Sequence, residues 1–167
     1  TSIKLLATSR KMEDGFYAMV SPVMIDKKSP LYSVNGVFNA IFIHGNVLGD
    51  AMFYGSGAGK LPTASAVVSD VVDCAKHLHR NVMVNWSSSR LELMNIDEVA
   101  NRFFVRVSGT PAERKEEVEK LFGPVDIVTV PGLPEEFAFI TRMITERSFR
   151  ERAEQLDGIL SRIRARI

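Results

Sequence analysis

Phe103-Phe104-Val105-Arg106-Val107-Ser108-Gly109-Thr110-Pro111-Ala112-Glu113 is the stretch on which the fold turns. Phe103, Val105 and Val107 alternate with Phe104, Arg106 and Ser108, the period of a strand with one covered face. Thr110-Pro111-Ala112-Glu113 then has the form of a capping box with proline at the first helical position, so the strand hands over directly to a helix. Val118, Leu121 and Phe122 give that helix an apolar stripe, and Gly123-Pro124 stops it.

Downstream, Val125–Val130 and Phe137–Ile144 read as two further strands around a Pro131-Gly132 turn. Ser148-Phe149-Arg150-Glu151 reads as a second capping box. Phe149, Ala153, Leu156 and Leu160 repeat at helical spacing, with Gly158 at the expected helix end. Ile163, Ala165 and Ile167 alternate with Arg162, Arg164 and Arg166, which predicts an edge strand with a charged outer face. The order strand, helix, strand, strand, helix, strand makes two split βαβ units. That is the pattern of a ferredoxin-like βαββαβ sandwich with both helices on one sheet face.

Upstream, residues 3–8 and Phe16–Met24 predict a hairpin about the Glu13-Asp14-Gly15 turn. Val37–Ile43 and Ala51–Tyr54, joined through Gly45-Asn46-Val47-Leu48-Gly49, predict another. Pro62–His79 has helical periodicity, with Ala64, Val67, Val68, Val71, Ala75 and Leu78 near one face, proline in the first turn and Lys76, His77, His79 and Arg80 at the end. Residues 81–100, with Trp86 and Ser87-Ser88-Ser89, are less patterned. A domain boundary is placed near residue 95, giving 1–94 and 95–167.

Composition narrows the function classes. Lysine and arginine (21) nearly balance aspartate and glutamate (20), so no basic stripe points to nucleic acid. Cys74 is the only cysteine, which removes an intramolecular disulfide and a cysteine-based zinc cluster. The apolar runs are too short for a membrane span and no signal peptide opens the chain, so a cytoplasmic protein is expected. Thr1-Ser2-Ile3, without a methionine, runs straight into an apolar segment and favours a piece of a longer protein.

Met52-Phe53-Tyr54-Gly55-Ser56-Gly57-Ala58-Gly59 lies between a predicted strand and a predicted helix. Such a turn brings bare backbone close to a ligand, and a helix start without acidic residues favours an anion. The same glycines also serve a tight turn with close helix packing, and the pattern leaves both readings open. The spacing G-x-G-x-G is not the dinucleotide fingerprint G-x-G-x-x-G. His77 and His79 are two apart and do not share a helix face, and His44 has no partner in sequence. Asp73 and Lys76 read as a surface ion pair, Cys74 as buried filler and Lys27-Lys28 as an exposed loop pair. No nucleophile triad, carboxylate pair or metal-ligand set emerges.

Ser33-Val34-Asn35-Gly36-Val37-Phe38-Asn39-Ala40, then Met52 to Gly59, then Pro62-Thr63-Ala64-Ser65-Ala66-Val67-Val68-Ser69-Asp70 resemble homoserine dehydrogenase in content and order. The resemblance runs from about residue 3 to residue 80, and the rest resembles the ACT domain that many bacterial members carry. It implies an α+β chain: the end of a catalytic α/β domain, then a ferredoxin-like ACT domain. It implies an oxidoreductase interconverting homoserine and aspartate semialdehyde with NADP or NAD, on the route to threonine and methionine, and a homodimer.

Carried over, Gly59 and Gly57 are the cofactor-binding positions. The family's Rossmann domain and its Asp-x-x-x-Lys catalytic lysine have no match here, because Lys4 falls in a strand and Asp73 with Lys76 has the wrong spacing. No catalytic residue is therefore assigned, and the chain alone is expected to be inactive, with no cofactor tightly bound. Ser108-Gly109-Thr110-Pro111-Ala112 stands where an effector-binding ACT domain shows Asp-x-Pro-Gly, which weakens the case for an amino-acid effector such as threonine. A stand-alone small-molecule-binding regulatory module, or a dimerisation module, is the alternative.

Overall fold

The computed structural model describes residues 1–13, 15–81 and 83–167. They form two compact units, one of Thr1–Asp26 with Leu91–Ile167, the other of Lys27–Arg90. Among the described residues the chain is a mixed α/β molecule with one seven-stranded sheet, a two-stranded hairpin and three α-helices.

The first unit opens with β1 (Ser2–Met12) and β2 (Gly15–Ile25), paired antiparallel from Ser2 opposite Ile25 to Met12 opposite Gly15. This is the hairpin expected from alternation; Asp14 of its turn lies outside the described residues. After Leu91 the chain returns through β5 (Ala100–Ser108), α2 (Pro111–Phe122), β6 (Asp126–Val128), β7 (Glu136–Ile140), β8 (Ile144–Thr145), α3 (Glu146–Ala153) and β9 (Ile159–Arg166). The sheet order is β1-β2-β9-β5-β7-β6, with β8 against the start of β5. The pairs β9–β5, β5–β7 and β7–β6 are antiparallel, whereas β2–β9 is parallel. Residues 1–26 cluster with Leu91–Ile167 rather than with 27–90.

The core is built as the alternation demands. Phe103, Val105 and Val107 of β5 pack with Val118 and Phe122 of α2, Phe149 and Ala153 of α3, and Phe137 and Phe139 of β7. One apolar cluster thus receives both helices on the same side of the sheet. Phe103 and Phe149 stack with centroids 3.8 Å apart.

Several local expectations are corrected. The strand expected over Phe137–Ile144 ends at Ile140, because the buried Thr141 turns back onto β5: its amide donates to the Phe103 carbonyl (2.9 Å) and its hydroxyl accepts from the Phe103 amide (3.0 Å). The strand expected over Val125–Val130 shortens to Asp126–Val128. The cap of α3 is Thr145, whose hydroxyl accepts from the Ser148 amide (3.2 Å), rather than Ser148 itself. Gly158 precedes β9 instead of closing α3, and Leu160 is an exposed residue of β9. The last strand is not an edge: β9 lies between β2 and β5. Its arginines misled, because Arg164 turns inward and forks onto Glu146 of α3 at 2.6 and 2.9 Å.

The second unit contains a short 3-10 turn (Pro30–Ser33), β3 (Phe38–Gly45), β4 (Gly49–Ser56) and α1 (Lys60–Lys76). The strands pair antiparallel from Phe38 opposite Ser56 to Gly45 opposite Gly49, and Phe38 stacks on Tyr54 at 4.9 Å. The helix begins two residues before the predicted Pro62 and ends three before His79.

Candidate functional site

The turn from β4 into α1 is the feature that the sequence marked, and the second unit builds it from two separate motifs. Antiparallel pairing sets Asn39 opposite Gly55 and Ala40 opposite Tyr54. The Ser33–Ala40 motif is thereby laid against the Met52–Gly59 motif. Gly57 lies against the exposed side chain of Asn39, whose carboxamide would have to shift to admit a Cβ there. Pattern reading missed Asn39, because its relation to Gly57 exists only once the hairpin register is set.

Gly59 is the N-cap of α1, with φ 124° and ψ 153°, a conformation that disfavours any residue bearing a Cβ. Its carbonyl accepts from the Thr63 amide (3.1 Å). No side chain caps this helix start and no acidic residue stands in its first turn, while Lys60 follows Gly59 directly. Exposed backbone donors, the positive end of the helix dipole and a lysine make this corner electrostatically receptive to an anion.

The other marked residues do not converge on it. His44 does have a partner: register places it opposite Asp50, with Nδ1 2.5 Å from the carboxylate, a cross-strand relation that spacing alone concealed. Asp73 faces His77 (3.4 Å) one turn on, not Lys76 in the ion pair expected from sequence. Cys74 is exposed rather than buried filler. Among the described residues, no three His, Cys, Asp or Glu side chains are grouped to hold a metal, and no helix is long and apolar enough to cross a membrane.

The turn from β5 into α2 has the opposite character. The Gly109 amide donates to the Glu135 carbonyl (2.8 Å). The Thr110 amide (3.2 Å) and hydroxyl (2.9 Å) both donate to the Glu113 carboxylate, and Pro111 has no amide hydrogen. The hydroxyl and then the amide of Thr110 hold the Glu113 carboxyl below its ordinary range, so a negative charge already occupies this helix start.

Residues 1–72 match the family model described as homoserine dehydrogenase. The chain is similar to the homoserine dehydrogenase of Lactococcus lactis subsp. lactis (strain IL1403), 38% identical over 108 residues, which are 63% of this chain and 25% of that protein. It is 49% identical over 75 residues to the homoserine dehydrogenase of Synechocystis sp. (strain PCC 6803), covering 42% of this chain and 17% of that one. Among solved structures, a homoserine dehydrogenase from Thiobacillus denitrificans superposes with a TM-score of 0.78 at 25% identity, over 98% of this chain and 42% of that one. The S. aureus homoserine dehydrogenase at pH 7.0 gives 0.72 at 25% identity, over 99% and 42%. The chain therefore spans about a quarter or less of these curated relatives and under half of these solved chains.

Proposed function

The chain belongs to the homoserine dehydrogenase family through residues 1–72, and on that premise we propose that it serves an NAD(P)-dependent oxidoreductase interconverting homoserine and aspartate semialdehyde. The observation that carries this reading is the corner at Gly57 to Lys60. Asn39 closes on Gly57, Gly59 adopts a glycine conformation, and the helix start it opens has no acidic side chain to repel a dinucleotide phosphate. Gly59 is assigned to the cofactor, with Gly57 holding the corner's shape.

A Cβ at Gly59 would strain the backbone by about 1–3 kcal/mol and fill the space that a ligand's phosphates approach. Hydride transfer needs more than this corner supplies. The sequence has neither a dinucleotide fingerprint nor an Asp-x-x-x-Lys motif, so the 167 residues alone are taken to be inactive.

Residues 95–167 are read as an ACT-like part. Support comes from the strand order β9-β5-β7-β6 and from two helices sharing one core. Amino-acid feedback through the β5–α2 turn is disfavoured by Glu113, which holds the donors that an effector carboxylate would need. The second reading, a regulatory or dimerisation module, draws on that self-contained core.

One assay separates these readings. Homoserine-dependent dinucleotide reduction is measured for the full-length enzyme containing this chain, for its Gly59→Ala form and for the 167 residues alone. The full-length enzyme is expected to be active, the variant to show a KM for the dinucleotide raised about tenfold, and the isolated chain to be silent. Equal KM values in enzyme and variant would remove Gly59 from the cofactor site. No turnover by the full-length protein would favour the module.

A further inference from the structure

The first unit has a structural seam. Its apolar cluster draws only on residues 103–159, from β5 through the start of β9, and includes nothing from the β1–β2 hairpin. On β2, the row Tyr17, Ser21, Val23 and Ile25 is nearly inaccessible. The hairpin meets the rest of the sheet through the parallel β2–β9 pair, which spans only Val23–Ile25 against Arg164–Arg166. The β5–β9 pair runs from Arg102 to Val107, and β1–β2 along the whole hairpin.

Polar satisfaction differs on the two sides of the seam. The Ser21 hydroxyl is buried without a hydrogen-bond partner among the described residues. Among the described residues, the Tyr17 hydroxyl donates to the Met19 sulfur, a weak acceptor, at 3.5 Å. Further ties include one exchange of backbone bonds with the returning chain, Phe16 amide to Glu92 carbonyl and Met94 amide to Phe16 carbonyl, both 3.0 Å, and a bond from Arg166 to the Thr8 hydroxyl. Across the seam, ion pairs join element to element. Glu146 of α3 holds Arg164 of β9 and Asn101 of β5, Asp126 of β6 holds Arg102 of β5, and Glu136 of β7 holds Arg106 of β5.

We propose that the β2–β9 seam is a separable joint, at which the β1–β2 hairpin lets go as one body while β9-β5-β7-β6 and their two helices stay folded. Cooperative units separate where the pairing that joins them is short and polar groups are poorly satisfied, and the three-residue β2–β9 register and the unpartnered Ser21 hydroxyl meet both conditions. The joint follows from packing alone and does not rest on the proposed activity.

Native-state hydrogen exchange of the whole chain, followed residue by residue in sub-denaturing urea, tests it. Amides along β1 and β2, including Met24 and Ile25, should share one urea-dependent opening, with exchange about tenfold or more faster than at Val105 and Phe139. A common rate and urea dependence for both sets would overturn the joint. So would edge fraying, in which β1 exchanges without urea dependence while β2 stays with the core. Ser21→Ala removes the orphan oxygen and should slow hairpin exchange about fivefold while leaving Val105 unmoved. An equal change at both places, or none in the hairpin, would also count against it.

Discussion

The helix-packed sheet of residues 95–167 and the unit of residues 27–90 are both patterned with apolar residues at strand and helix periods, yet only the first buries them. Val105 and Phe139 are fully inaccessible, whereas Val68 of α1 is 60% exposed and Phe53 of β4 is 64% exposed. Among the described residues, none from 27 to 90 is buried. The contrast teaches that periodicity specifies the local element, through backbone hydrogen bonds and side-chain spacing, but not the surface that will cover it. In the first unit the covering surface is supplied a few dozen residues away. In the second, the stripe of α1 and the faces of β3 and β4 find no cover within the unit. Ile41, Phe53, Val67, Val68 and Val71 all stand more than half exposed.

The sharpest way to break this comparison is a matched pair of truncations. Phe139→Ala should empty a filled site in the cluster and cost about 4 kcal/mol, read from urea denaturation. Phe53→Ala in the isolated chain should fall within about 0.5 kcal/mol of the parent, because the ring is already in water. Similar losses for the two would mean that the second unit has a core of its own in solution.

A smaller loss is expected at the polar joint of the first unit. Glu146 is nearly enclosed and holds both Arg164 and Asn101, so Glu146→Ala strands a guanidinium between β2 and β5. A fully buried pair would lose about 3–5 kcal/mol; since Arg164 keeps a quarter of its side chain in solvent, about 2 kcal/mol is expected. Thermal unfolding that matches the parent would show that the pair contributes packing only.

These same residues mark what was legible in the sequence. The β1–β2 hairpin, the capping box at Thr110 and the strand–helix order of the last part follow from interactions spanning only a few residues, and those were readable. The position of β9 was not. Arginines at alternate positions look like a solvated face, and only the distant Glu146 shows that Arg164 turns inward. Likewise Ser148 and Thr145 are both plausible caps in isolation. Glu146, which bonds Val99 through its amide and Arg164 through its carboxylate, draws the helix start to Thr145. At the candidate site, Gly57 and Gly59 were recognisable as a turn. Asn39 and the His44–Asp50 pair required the β3–β4 register, which no single residue announces.

The smallest effect concerns acid, and it sharpens the comparison by acting on the first unit through two solvent-facing carboxylates. Asp97 is held below its ordinary range chiefly by hydrogen bonds from Arg150 (3.0 and 2.9 Å), and Glu113 chiefly by the Thr110 hydroxyl. Each therefore binds a proton less readily in the folded chain than in the unfolded one. The stability that they contribute is present above the ordinary carboxylate range and is lost as pH falls through the depressed folded values. Thr110→Val removes the hydroxyl while keeping a side chain of similar shape. It should lower the melting temperature at neutral pH by about 2–4 °C. The gap should narrow as the solution is acidified and Glu113 becomes protonated in both proteins. A gap of constant size from neutral pH down to the acid transition would mean that Thr110 acts through helix geometry alone, with no contribution from the Glu113 charge.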